Sequence, residues 1–102
     1  MSLSNQAVIL RLKGDPDEAM KLHREAETML REVGYRYGLQ DALGEQALTL
    51  AQLGDIEGAR VLLHEQITIC AEMGLKIDLK RANDNLLMVA AGKIPVKKVS
   101  VG

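Results

Sequence analysis

The sequence predicts an all-α chain of about five helices, stacked as antiparallel pairs in a solenoid of about two and a half repeats, and three observations carry that expectation. First, the chain repeats at a spacing of forty residues. Laying residues 14–53 over 54–93 gives ten identities, at Gly14/Gly54, Asp15/Asp55, Ala19/Ala59, Leu22/Leu62, Glu25/Glu65, Thr28/Thr68, Glu32/Glu72, Gly34/Gly74, Leu39/Leu79 and Ala42/Ala82. The offset reaches backwards too, because Gln6, Ala7 and Leu10 recur as Gln46, Ala47 and Leu50. Second, Gly14, Gly34, Gly54, Gly74 and Gly92 divide the chain into segments of helical length. Third, 47% of residues are apolar, yet Phe and Trp are absent and Tyr35 and Tyr37 are the sole aromatics. A core of Leu, Ala, Ile, Val and Met suits close-packed helices better than a sheet, and repeats of this length stack into solenoids.

The elements follow in order. Leu3, Ala7 and Leu10 fall at i, i+4 and i+7, the spacing of one helix face, over residues 3–13. Gly14 closes that helix and Asp15 is placed to cap the next. Pro16 at the first helical position and Glu18 three residues after the cap complete a capping-box pattern. The second helix is expected over 16–33 with an inward stripe of Ala19, Leu22, Ala26, Met29 and Val33, ending at Gly34. After a connection over residues 35–38 a third helix is expected over 39–53 and a fourth over 56–73. The fourth carries Ala59, Leu62, Gln66, Ile69 and Met73 at the equivalent stripe. A fifth, over 77–91, is stopped by Gly92 and Pro95. Residues 1–92 thus form one helical repeat domain and 93–102 a tail, whose Ile94, Val96 and Val99 could lie along a neighbouring helix. Gly44 and Gly58 are expected to break their helices locally where neighbours pack closely.

Charge and composition restrict function. Thirteen basic and 14 acidic residues give a formal charge of −1, which offers no general attraction to nucleic acid or an anionic membrane. Cys70 is alone, as suits a reducing compartment, and no apolar run approaches the roughly twenty residues of a membrane span. Cytoplasmic localisation is the expectation. His23 and His64 are not repeat equivalents, and Cys70 lies six residues past His64, roughly 240° around a helix, so no Cys-His nucleophile pair is supported. His23 is read as a partly buried packing residue, His64 as solvent-facing and Cys70 as a small core residue. The carboxylates are interleaved with Lys and Arg at helical spacings and read as solvated faces. No phosphate-cradling glycine motif, CxxC pair or G-x-S-x-G elbow is present. The chain is therefore expected not to be an enzyme, and to need neither cofactor nor metal.

The segments NQAVILRLKGDPDEA (5–19) and EQALTLAQLGDIEGA (45–59) resemble the tetratricopeptide repeat. That family has a helix A ending in a Gly-Asp turn and a helix B beginning with a close-packing alanine. Ala7 and Ala47 match the small helix A position, Leu10 and Leu50 the large apolar one, Ala19 and Ala59 the helix B alanine. The resemblance covers residues 3–91, and the long repeat is similar to those of kinesin light chains. It implies a right-handed solenoid. There are departures: Leu3, Leu43 and Asn83 occupy an aromatic position, Gln6 and Gln46 a position where an aliphatic is common, and Leu87 the small position of the third copy. The last helix is accordingly read as a terminal cap.

In such repeats the helix A residues line a concave groove, and the resemblance places Asn5 and Asn85 where asparagines contact an extended peptide. A carboxamide offers donor and acceptor to a peptide backbone whatever its side chains. Glu45 breaks this forty-spaced ladder and favours a basic ligand segment over an acidic one, while Val8, Leu48 and Met88 follow one helical turn on. The expected groove comprises Asn5, Val8, Glu45, Leu48, Gln52, Arg81, Asn85 and Met88. Two functions remain open: a noncatalytic protein- or peptide-binding module cut from a larger scaffold or signalling protein, or a structural self-association or spacer module. The partial first repeat leaves Val8, Ile9 or Leu12 partly uncovered, so a homodimer is expected, through the N-terminal ends or through docking of the 94–99 tail from a neighbouring molecule.

Overall fold

The computed structural model describes residues 15–94. Four helices account for nearly all of them: α1 (Pro16–Val33), α2 (Arg36–Gln52), α3 (Ile56–Met73) and α4 (Lys76–Ala90). No strand occurs among the described residues. The helix expected over 3–13 lies outside them, as does the tail beyond Ile94. Each helix packs on the next in sequence, and α2 also touches α4 directly while the backbones of α1 and α3 stay apart. Short turns make successive helices antiparallel.

Local chemistry sets the boundaries. Asp15 and Asp55, forty residues apart, cap α1 and α3 by accepting from the backbone N–H of Glu18 at 3.3 Å and of Gly58 at 2.9 Å. The Glu18 carboxylate takes the Lys21 ammonium at 3.1 Å. At the other ends Gly34 and Gly74 adopt left-handed φ of 72° and 70°. There Tyr35 N–H reaches back to the Leu30 carbonyl at 3.1 Å, and Leu75 N–H to that of Cys70 at 2.9 Å. These six-to-one bonds satisfy carbonyls a helix end leaves open.

The turn hands the chain straight into the next helix, so α2 begins at Arg36 and not at 39. Gly38, read as part of a connection, lies inside the first turn of α2. A Cβ there would fall 2.8 Å from the Tyr35 ring and 2.9 Å from Leu30. Neither Gly44 nor Gly58 interrupts a helix. Gly44 does mark a close approach between α2 and α3, whereas Gly58 makes room for the capping carboxylate of Asp55 in its own turn.

Two apolar clusters hold the stack. Leu39, Leu43 and Ile69 gather Leu30 and Leu62, tying α1, α2 and α3 together. Ala47, Ala51, Ala59, Leu63 and Val89 gather Leu50, Ile56, Leu62, Leu86 and Ile94, tying α2, α3 and α4. The small alanines at 47, 51 and 59 let α2 and α3 approach closely. Ile94, for which the sequence leaves open both packing along a neighbouring helix and docking on another molecule, packs on this cluster of its own chain.

The buried stripes are rotated from the expected ones in the same direction in both repeats. In α1 they run through Ala19, His23 and Ala26, and in α3 through Ala59, Leu63, Gln66 and Cys70. Met29 and Val33 stand 57% and 75% exposed, Met73 is exposed, and Leu22 and Leu62 are half-buried. Hydropathy alone favoured Leu22 over His23. The structure buries His23 completely because its Nε2 meets the Thr49 hydroxyl of α2 at 3.2 Å. The equivalent positions, Leu63 and Val89, are both apolar and equally buried. One interface thus uses a polar pair where its repeat uses hydrocarbon.

Helix α2 is sandwiched between α1 and α3; α4 has α3 on one side. The difference appears residue by residue. Gln40, Leu43, Gly44, Ala47 and Ala51 are buried on α2, while their equivalents Lys80, Asn83, Asp84, Leu87 and Ala91 are all exposed. Lys80 and Asp84 lie 3.8 Å apart there, and Leu87 is 70% exposed. Apart from Leu87 and Ala91, this flank is polar, the character that a capping helix requires.

Candidate functional groove

Between Leu39 and Gln52, α2 offers little of itself to solvent. Asp41 is exposed and Glu45, Leu48 and Gln52 are half-buried; apart from Leu50, which packs into the core, the other positions are buried. The four fall at i, i+4, i+7 and i+11, a single line along the helix. This explains why α2 has no clear amphipathic pattern in sequence: two neighbours cover most of its circumference, leaving one narrow stripe.

On α4 the matching line is Asp78, Arg81, Asn85 and Met88, with Arg81 and Met88 exposed and Asp78 and Asn85 half-buried. The two lines face each other electrostatically at one end. Burial raises the pKa of Asp41, the Arg81 guanidinium lowers it, and Asp78 raises it. Asp41 is exposed by area, yet the helices around its carboxylate remove enough water that desolvation prevails over Arg81. Asp41 and Arg81 are repeat equivalents on adjacent helices.

Six of the eight groove residues expected from sequence therefore lie in the described part: Glu45, Leu48 and Gln52 on α2, and Arg81, Asn85 and Met88 on α4. Asn5 and Val8 lie outside the described residues. Sequence reasoning missed Asp41 and Asp78. The signal for Asp41 was available, since it sits one turn before Glu45 and forty residues before Arg81. Asp78 aligns with Gly38 and had no such cue. Among the described residues, Asp41, Glu45 and Asp78 share this face with Arg81.

The other polar groups serve packing. Gln66 Nε2 donates to Gln40 Oε1 at 3.0 Å and Cys70 Sγ donates to the same oxygen at 3.3 Å, all three side chains being buried between α2 and α3. Burial, and then Asp78, push the Cys70 thiol pKa up, which leaves it a neutral core group without nucleophilic character. His64 is exposed. Among the described residues no three His, Cys, Asp or Glu side chains converge as metal ligands, and no helix is long and apolar enough to cross a membrane. No protein-family model matches the chain, and a search of curated proteins returns no match.

Proposed function

We propose that the chain is a tetratricopeptide-like, right-handed solenoid module that binds an extended protein segment along the α2–α4 face without catalysing a reaction. The observation that carries this reading is the single open line of α2, running beside a matching line of α4 with repeat-related polar and apolar groups. Such a stripe provides amide and charged groups for a peptide backbone and Leu48 and Met88 for its apolar side chains. The Gly-Asp turns, the close-packed alanines and the forty-residue period support the family assignment. Among the described residues, the carboxylates of Asp41 and Asp78 beside the single Arg81 support a basic ligand segment, the preference expected from Glu45.

Fluorescence anisotropy with two labelled extended peptides, one alternating Lys with small residues and one alternating Glu, tests the reading. The Lys peptide should bind more tightly, and its affinity should fall as salt rises. Asn85→Ala should weaken binding several-fold while leaving the melting temperature nearly unchanged. Equal binding of the two peptides removes the charge preference. A fall of several degrees in melting temperature with affinity intact makes Asn85 structural and the groove reading wrong.

A further inference from the structure

The two turns leading into α2 and α4 carry the same pattern. Val33-Gly34-Tyr35-Arg36-Tyr37 aligns with Met73-Gly74-Leu75-Lys76-Ile77, each apolar, Gly, apolar, basic, apolar. Among the described residues, five of the nine exposed large apolar side chains lie here: Val33, Tyr35, Tyr37, Met73 and Ile77, the last 78% exposed. The helix-ending turn itself explains part of this. Tyr35 and Leu75 are the residues that such a turn folds back against its helix, and Tyr35 indeed meets Leu30 beside Gly38. It does not explain Val33 and Met73 or Tyr37 and Ile77, which are two repeat-equivalent pairs pointing into solvent. At the opposite ends of the helices the described residues form no such ridge, the turns there being capped by Asp15 and Asp55.

The two turns are contiguous. Tyr37 lines one shallow hollow together with Gly74, Leu75, Lys76 and Ile77, the Tyr35 and Tyr37 ring centroids are 6.2 Å apart, and Arg36 of the first turn bonds Glu72 of the second at 2.6 Å. By the forty-residue offset, the equivalents of that ion pair are Glu32 at the α1 end and Lys76 at the α4 end, each of which would find its partner only a further repeat away. Among the described residues neither Glu32 nor Lys76 makes an ion pair within the chain.

We infer that this turn edge is a self-association surface, occupied by the same edge of a second copy of the chain around a two-fold axis. A two-fold axis across the ridge sets the first turn of each copy on the second turn of the other. Because the turns are repeat equivalents, apolar meets apolar in both halves. The same rotation brings Glu32 of each copy to Lys76 of the other, twice, so the two unmatched charges complete one another. An anionic membrane is a poorer occupant, since Glu32, Glu72 and Asp78 offset Arg36 and Lys76 along the edge. The inference rests on the turn edge and is independent of the groove.

Sedimentation velocity of the full chain, over a series from about 5 to about 500 micromolar, bracketing micromolar dissociation constants, should show the mass moving from 11.2 kDa towards twice that value. Ile77→Asp should raise the dissociation constant at least tenfold with the helical circular dichroism unchanged, because the side chain is largely in water. Glu32→Lys and Lys76→Glu should each weaken self-association, because each puts like charges together at both contacts. Mixing the two variants should restore dimers, since one then carries two positive charges and the other two negative charges at the facing positions. A chain that stays monomeric throughout overturns the proposal and leaves the ridge to a foreign apolar partner. Dimers that ignore Ile77→Asp, or variants that fail to rescue each other on mixing, overturn the two-fold edge.

Discussion

Gly44→Ala should destabilise the protein, although alanine is the better helix former. In an exposed helix interior the change would stabilise by about 1 kcal/mol. Here the added Cβ would lie 2.6 Å from both Nε2 and Oε1 of Gln66, so the amide has to retreat by close to an ångström. Gln66 is buried and donates to Gln40 at 3.0 Å. Losing that bond between buried groups costs about 1 to 3 kcal/mol, and overpacking the α2–α3 contact adds about 1 to 3 kcal/mol. After the helix gain is subtracted, a net loss of about 1 to 5 kcal/mol remains. For a domain of this size each 1 kcal/mol moves the melting temperature by about 4 to 8 °C. Urea unfolding with a double-mutant cycle gives the decisive measurement: in a Gln66→Ala background Gly44→Ala should become neutral or stabilising. Gly58→Ala is the control. Its Cβ meets the exposed Asp55 carboxylate at 2.5 Å, so the loss of a helix cap, about 1 kcal/mol, is offset by the helix gain of about 1 kcal/mol and the net change should be near zero. A Gly44→Ala protein as stable as the parent, or a destabilisation that persists unchanged without Gln66, would refute the close-contact argument.

Leu63→Ala should cost about 2 to 5 kcal/mol, because Leu63 is fully buried between α2, α3 and α4, and Leu62→Ala should cost less, because Leu62 is half-buried; the reverse order in chemical denaturation would restore the stripe expected from hydropathy. Asp41 has a folded pKa raised above its ordinary 3.8, so the folded state holds its proton more tightly. Its contribution to stability is greatest below the unfolded pKa and falls as pH rises through the interval up to the folded pKa. Asp41→Asn should therefore improve stability near pH 7 relative to pH 3, compared with the parent at the same two values, and an unchanged difference between the two would show the carboxylate to be fully solvated.

The sequence alone determined what is local or periodic. Asp15 and Asp55 as caps, Gly34 and Gly74 as left-handed helix ends, and the bounds of α1, α3 and α4 to within a residue all follow from backbone groups that a helix end leaves unsatisfied. The forty-residue offset also placed Glu45, Leu48, Arg81, Asn85 and Met88 on corresponding lines before any packing was known. What it could not decide was which side chains a neighbour would cover. His23 is buried because Thr49 of another helix supplies its partner. Leu22 and Met29, more apolar, are left half-buried and exposed because α2 packs on a face of α1 turned towards His23 from the hydropathy maximum. Gly44 and Gly58 looked alike as breakers, yet one accommodates a glutamine from the next helix and the other the capping carboxylate of its own turn. Asp41 faces Arg81 for the same reason: repeat equivalence fixes their positions on the helices, but only the direct contact of α2 with α4 brings their charges together.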